Sequence, residues 1–327
     1  MTNTMKVSVV IPTYKRPQLL MRCLHALHKQ TLDKKHFDII IVSDGYDKTS
    51  EKLVKDMSVL FHERLTYLYT EIKKGPAAAR NLGWLFSDSE LIIFTDDDCV
   101  PDELWLQEIA SAYQENKKEK IAFAGTLIVP TPQKPTDYEK NIAQLESAEF
   151  ITANCACTKR SLYTVGGFDE RFRMAWREDS DLHFKLLQNS IPIIKLKKAV
   201  VIHPVREANW GISLKEQKKG IYNALLFKKF PNLYRSRIAN SAPPLYYILI
   251  LLLLSIPLLW VFNQNQLLEF ATFLWVLLTV SFIIKRLKGS SKTFAHVSEM
   301  VITSLLIPYV SIYWQIYGAV KYKVFMV

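Results

Sequence analysis

Three long apolar runs near the end of the sequence constrain its fold more than any other feature. Residues 245–262 are almost wholly apolar, and residues 267–284 are similar apart from Glu269 near the start. Residues 301–320 hold no charge but include Pro308 and Gln315. A helix that crosses hydrocarbon needs about 20 apolar residues, within a range of about 17–25. The first two runs meet that need; the third could span, re-enter or lie in the interface. A buried hairpin of a soluble domain could absorb one such pair, but three runs in one block argue for a membrane.

Charge orients these runs. Lys228, Lys229, Arg235 and Arg237 precede the first, residues 263–266 between the first two are neutral, and Lys285, Arg286, Lys288 and Lys292 follow the second. Basic flanks stay on the cytoplasmic side, which puts the short link outside. Lys321 and Lys323 fit poorly with a third full crossing. The net charge of +11 over 327 residues is concentrated between Lys215 and Lys292, beside the apolar runs. That placement fits an anionic lipid surface and no nucleic acid partner. Over residues 213–230, Leu214, Ile221, Leu225 and Leu226 alternate with Lys215, Lys218, Lys219, Lys228 and Lys229. This reads as a basic interfacial helix, or as an ordinary amphipathic surface helix. The expected organisation is a catalytic domain over 1–212, a basic linker over 213–242 and a membrane region over 243–327.

The first part of the chain alternates strand and helix signals. Apolar, β-rich runs at 7–11, 37–42, 65–69 and 91–95 are separated by helical patterns at 19–28, 49–61 and 77–86. Short apolar strands with helices between them imply an α/β domain whose mostly parallel sheet is buried on both faces. Ligands of such sheets sit at the carboxyl ends of the strands. Asp44 and the Asp96-Asp97-Asp98 cluster both follow strands, so they converge on one edge. Residues 130–154 are Pro-rich and then helical, and read as an inserted acceptor-side segment. The run at 7–11 is shorter than the roughly 7–15 residues of a signal-peptide core, so the N-terminal domain is expected in the cytosol. The four cysteines, Cys23, Cys99, Cys155 and Cys157, show no metal-finger spacing and read as reduced thiols. Cys155 and Cys157 would share one face of a strand.

Four groups of residues carry chemistry. Asp96-Asp97-Asp98 after an apolar strand suits a hard cation, Mg²⁺ or Mn²⁺, though acids also cap helices. Asp44-Gly45 could accept from a base imide or ribose hydroxyl, or could simply make a turn. Residues 75–81, Gly-Pro-Ala-Ala-Ala-Arg-Asn, permit close backbone approach, and Arg80 can pair with phosphate or face solvent. Arg177-Glu178-Asp179-Ser180-Asp181 opens a helix and offers a carboxylate base, or ordinary first-turn acids.

Taken together these groups resemble the family 2 glycosyltransferases. The resemblance is carried by Val7-Ser8-Val9-Val10-Ile11-Pro12-Thr13-Tyr14-Lys15-Arg16, the Asp44 strand end, residues 75–81, Asp96 to Asp98, Gly166-Gly167-Phe168-Asp169-Glu170-Arg171-Phe172, and Glu178-Asp179. These occur in the family's order across about two-thirds of the chain. The resemblance implies a GT-A fold and transfer of a sugar with inversion from a nucleotide-sugar donor, with a divalent metal (Mn or Mg); a UDP-sugar is the first donor expected. By similarity, Pro12, Tyr14 and Asp44 would contact base and ribose, and Arg80 would lie near the base or diphosphate. Asp96 and Asp98 would be the outer acids of the metal motif, with Asp98 the direct ligand and Asp97 the extra acid on the donor side. His203 would be a further metal or diphosphate contact. Asp179 would be the catalytic base and Glu178 would position the acceptor. Asn154, Gly166, Gly167 and Trp176 would shape the acceptor site.

Ser43 replaces the first Asp of the usual pair at the base-binding strand, which weakens inference about the base. The Gln-x-x-Arg-Trp motif of processive synthases is absent, so transfer of a single sugar is expected and not polymerisation with extrusion. The acceptor is expected to be lipid-linked or a membrane-associated glycan, with membrane lipid a further partner. The location expected is the inner (plasma) membrane, with several crossings and a cytoplasmic catalytic domain. Alternatives are a polyprenyl-phosphate glycosyltransferase, a silent GT-A scaffold and a metal-dependent nucleotidyltransferase. The last lacks support from the Gly-Gly-Phe-Asp and Glu-Asp pairings.

Overall fold

A computed structural model describes residues 6–238 and 243–325. The chain divides into two units. The first comprises Met1–Pro130 and Ala143–Val205, the second Thr131–Ile142 and Arg206–Val327.

The apolar runs of the first unit become strands β1 (Val7–Thr13), β2 (Phe37–Ser43), β3 (Leu65–Tyr69) and β4 (Leu91–Phe94). Between them lie helices α1 (Pro17–His28), α2 (Lys48–Ser58) and α3 (Pro76–Phe86). Pro17 and Pro76 open their helices, where a missing N–H costs nothing. The unit continues with β5 (Val100–Pro101), α4 (Trp105–Glu115), β6 (Ala122–Ile128), β7 (Cys155–Thr158), α6 (Lys159–Val165), α7 (Glu178–Gln188) and β8 (Ile193–Ile202). Helix α5 (Asp137–Ala143) falls almost entirely in the second unit.

The strands form one sheet in the order β3-β2-β1-β4-β7-β6-β8-β5. Neighbours from β3 to β4 are parallel, as are β6 and β8; β7 runs antiparallel to both its neighbours, and β5 is antiparallel to β8. Val10, Ile40, Val42, Ile92, Phe94, Cys155 and Cys157 share one core with side chains of α3, α6 and α7. Val9, Ile39, Ile41 and Ile93, on the opposite parity, are just as buried, so both faces of the sheet are covered. All four cysteines are free and buried.

Register fixes the functional edge. Thr13 pairs with Ser43, and Val10 pairs with Phe94. The residues that follow, Asp44 and Asp96 to Asp98, therefore leave the sheet together. Because β7 is antiparallel, its start also lies at this edge, with Cys155 opposite Phe94. The end of β8 arrives there too, and the His203 amide donates to Ile128 at 2.8 Å.

In the second unit, residues 212–229 fold as α8 (Ile212–Glu216), a 3-10 turn over Gln217–Gly220, and α9 (Ile221–Lys229). Ile221, Leu225 and Leu226, three of the four apolar positions of the expected stripe, are buried. After α10 (Pro231–Arg237) come α11 (Pro244–Val261), α12 (Asn265–Leu287) and α13 (Phe294–Tyr322). All three of these last helices are long and apolar enough to cross a membrane. The third starts seven residues before the apolar run that announced it. Its N-cap Thr293 accepts from the His296 amide, and Glu299 accepts from the Gly211 amide at 2.7 Å. A local cap and one tertiary partner thus hold the polar first turns of α13.

Candidate active site

The site is assembled where the strands end. Thr13, the last residue of β1, donates its hydroxyl to Asp97 Oδ2 at 2.7 Å, and Arg16 pairs with Asp97 Oδ1 at 3.3 Å. Burial raises the Asp97 carboxyl to about 6, Arg16 opposes that rise, and Asp98 adds to it. Asp97, expected on the donor side, is thus buried and held by Thr13 and Arg16.

Asp44 is occupied in the same way. Its carboxylate accepts from the Lys74 amide at 2.6 Å and from the Gly75 amide at 2.9 and 3.0 Å. This fastens the loop that opens α3. Gly75 has φ +101°, and a Cβ there would stand 2.5 Å from the Arg173 carbonyl oxygen, so only glycine fits. Pro12 is buried within β1. Tyr14 is half-buried, and the Lys73 ammonium sits 3.6 Å from its ring centroid.

Arg80 lies on the buried face of α3 and is 2% exposed. It reaches Asp96 Oδ1 at 2.7 Å and Glu178 Oε1 at 3.2 Å. Its guanidinium stands 5.7 Å from the Phe168 ring, which packs edge-on against Phe94. Burial opposes its charge, but Asp96 and Glu178 outweigh that and keep it protonated. Arg80, expected beside a base or diphosphate, joins the two acidic motifs. Its Nε has no hydrogen-bond partner among the described residues.

Glu178 and Asp179 open α7 after Arg177, whose φ of +73° turns the chain. Glu178 is buried, and its carboxyl is raised to about 7 by burial and by Asp179 against the pull of Arg80. Asp179 is half-buried in the first turn of α7 and accepts from the Ser180 amide at 2.6 Å. Burial raises its carboxyl, while Ser180, Arg177 and Arg80 lower it. A substrate can therefore meet Asp179, while Glu178 lies closed to solvent with Oε2 unpartnered among the described residues.

On the far side of the edge, β5 pairs with the end of β8, which brings Asp98, Cys99 and His203 together with ligand atoms within 4.8 Å of one another. His203 Nε2 is 3.7 Å from Asp98 Oδ1, and its buried Nδ1 has no partner among the described residues. A carboxylate and an imidazole with an orphaned nitrogen fit a divalent cation whose remaining ligands are phosphate oxygens. Cys99 fits less well. Burial, then Asp96 and Asp98, raise its thiol and keep it neutral, and a hard cation does not favour sulfur. Asp96, expected as the other outer ligand, is engaged by Arg80.

The acceptor-side set divides. Trp176 is half-buried, with the Arg177 guanidinium 4.7 Å from its ring centroid. Gly166 caps α6 with φ +71° and open space around it, while a Cβ on Gly167 would meet Asn81 and Trp84. Asn154 is fully buried; its amide donates to Thr126 and Ala199 and its carbonyl accepts from Trp105. It clamps β6, β8 and α4 together, and no face of it is left for an acceptor. Asn81 closes the same Gly75–Asn81 motif that carries Arg80. It bonds the backbone of Phe168 in both directions and also holds Glu170, seating the Gly-Gly-Phe-Asp segment on α3.

A sequence profile of "Glycosyl transferase family 2" matches residues 8–172. Glycosyltransferase AglE of Haloferax volcanii is 32% identical over 33% of this chain and 35% of its own length. The putative colanic acid biosynthesis glycosyl transferase WcaA of Escherichia coli is 30% identical over 38% of this chain and 42% of its own. The chain thus spans less than half of either relative. Mannosyltransferase PcManGT of Pyrobaculum calidifontis, solved with GDP-Man and Mn²⁺, superimposes with a TM-score of 0.54. That likeness covers 98% of this chain and 88% of the other at 16% identity. At that identity it speaks for the fold, which is GT-A.

Proposed function

We propose that this chain, which belongs to glycosyltransferase family 2, transfers one sugar, with inversion, from a nucleotide-sugar donor to a membrane-associated or lipid-linked acceptor in envelope glycan synthesis. The observation that carries the reading is Arg80. One buried cation ties the donor-side acid Asp96 to the Glu178-Asp179 pair, so a donor site and a base are built as one assembly.

Asp179 takes the proton from an acceptor hydroxyl. That oxygen forms a bond to the anomeric carbon from the face opposite the leaving group, and the bond from carbon to diphosphate oxygen breaks, its electron pair leaving with the nucleoside diphosphate. Glu178 acts from behind by holding Arg80, and Trp176, whose ring carries Arg177, would help shape the acceptor side. Tyr14, with Lys73 over it, lies at the end of β1 for the nucleotide. Asp98 and His203 would hold Mn²⁺ or Mg²⁺, which supplies positive charge to the departing diphosphate. The donor of first choice is a UDP-sugar. The apolar helices of the second unit would anchor the protein in the inner membrane with the catalytic unit in the cytosol.

The test is nucleoside diphosphate release by the detergent-solubilised protein. It would be offered UDP-, GDP- and TDP-sugars, Mn²⁺ or Mg²⁺, and a membrane-lipid extract. Metal-dependent release with one donor, lost in Asp98→Ala and in Asp179→Asn, is expected. Folded protein that binds and turns over none of these donors would overturn the reading.

A further inference from the structure

The three apolar helices of the second unit are not alike. In their most apolar stretches α11 and α12 are 6% and 17% buried, while α13 is 44% buried. The exposed apolar side chains of α13 lie along one stripe that includes Val301, Leu305, Tyr313, Ile316 and Val320. The opposite stripe is buried and mixes the small or polar Thr303, Ser304, Ser311 and Gly318 with Met300 and Ile307.

A basic stretch of chain covers that buried stripe. The Gly211 amide donates to Glu299 at 2.7 Å, and the Lys218 ammonium lies 5.5 Å from the Trp314 ring. A Cβ on Gly318 would stand 2.9 Å from the Ile221 carbonyl oxygen, so the two backbones touch. Lys228 donates to the Tyr322 carbonyl at 2.7 Å. These contacts follow one another in the same order along both segments. At 1.5 Å per residue, the stretch from Glu299 to Tyr322 is about 35 Å long, against a hydrocarbon thickness of ~30 Å. No part of α13 long enough to cross is therefore free of this companion. The companion carries Lys215, Lys218, Lys219, Lys228 and Lys229 against the single acid Glu216. Were α13 to cross, those ammonium groups would enter hydrocarbon, where only the ones nearest an end could reach water.

The start of α13 is pinned beside the charged end of α12. Arg286 donates to the hydroxyls of Thr303 and Ser304, and also to Asp137 and Ser213. A long apolar stripe on one side, lysines on the other and tyrosines along the C-terminal half together describe a helix lying in a lipid surface.

We propose that α13 lies in the membrane interface on the catalytic side, so that only α11 and α12 cross and Phe325 faces the same compartment as the catalytic unit. This rests on the membrane reading above. The test places single cysteines at the exposed positions Lys35, Gln264 and Phe325 of the full chain, whose native thiols are all buried. An impermeant maleimide is then applied to sealed vesicles of both orientations, with donor turnover as the check of folding. Cysteines at 35 and 325 should label together in one orientation, and the cysteine at 264 only in the other. Labelling of 325 together with 264 would overturn the in-plane helix and establish a third crossing. Labelling of 264 together with 35, or release of the chain by alkaline carbonate, would show instead that the membrane reading itself had failed.

Discussion

Replacing Arg80 tests whether the two acidic motifs are one assembly. Arg80→Met keeps an apolar stem in the space and deletes the charge that Asp96 and Glu178 share at 2.7 and 3.2 Å. The Glu178 side chain is 5% exposed, so it would be left buried without a counter-charge. Removing one partner of a buried ion pair costs about 3–5 kcal/mol. For a unit of this size, 1 kcal/mol moves a thermal midpoint by about 2–4 °C, so the apparent midpoint should fall by roughly 6–20 °C. The loss should also depend on pH. The Glu178 carboxyl already stands at about 7, raised first by burial and held back by Arg80, and without Arg80 it rises further. A carboxyl raised in the folded state lends stability below its unfolded value near 4.5, and that contribution disappears as pH climbs through the folded value. The deficit should therefore be largest above about pH 7 and should shrink toward about pH 5. The assay is thermal unfolding of the full chain in detergent at both ends of that range. Glu178→Gln and the double variant complete a thermodynamic cycle. In the double variant much of the loss should return, because no buried carboxylate remains at that position. A midpoint within about 2 °C of wild type at pH 8, or a deficit that grows as pH falls, would refute the reasoning.

Other substitutions bear on separate parts of the site. Asp179→Asn should lower turnover by about 10²–10⁴-fold while donor affinity holds. Burial raises the Asp179 carboxyl, so the acid limb of the wild-type rate should lie above the ordinary Asp value of ~3.9, and a limb at that value would remove Asp179 as the base. Cys99→Ser should leave the metal requirement and the order of Mn²⁺ and Mg²⁺ unchanged, because the buried thiol is neutral; an altered preference between metals would place sulfur among the ligands. Gly75→Ala combines a positive φ with a backbone collision. It should cost on the order of 1–3 kcal/mol or more, read as a lowered unfolding midpoint, and an unchanged midpoint would show that the loop yields easily.

The first half of the fold was legible because its strands are short apolar runs, each closed by a turn signal, and because Pro17 and Pro76 mark helix starts. Strand β8 was largely obscure, since Lys195, Lys197 and Lys198 interrupt its apolar pattern and its partner β6 is about 70 residues away in the chain. At the site, residue type showed which side chains could do chemistry but not how each was already engaged. Asp44 and Asp97 look alike in sequence to acids that wait for a ligand, yet backbone amides hold the first and Thr13 and Arg16 the second. Asn154 belongs to the resemblance, but its partners Thr126, Ala199 and Trp105 are remote in sequence and leave it internal. Arg80 is the converse case. Its charge was plain, while the 98-residue separation from Glu178 concealed what it pairs with.

The allotment of residues 131–142 to the second unit has a consequence for biosynthesis. Asp137 pairs with Arg286, and Lys140 donates to the Lys288 carbonyl. During translation this segment leaves the ribosome about 150 residues ahead of those partners. Through that interval a loop already flanked by finished strands must wait unanchored, open to proteases and to chaperones. A fragment ended at residue 212 would keep it in that waiting state permanently. Expression of the catalytic portion alone should therefore yield a protein nicked between Pro130 and Ala143, at a place where the full-length chain resists cleavage.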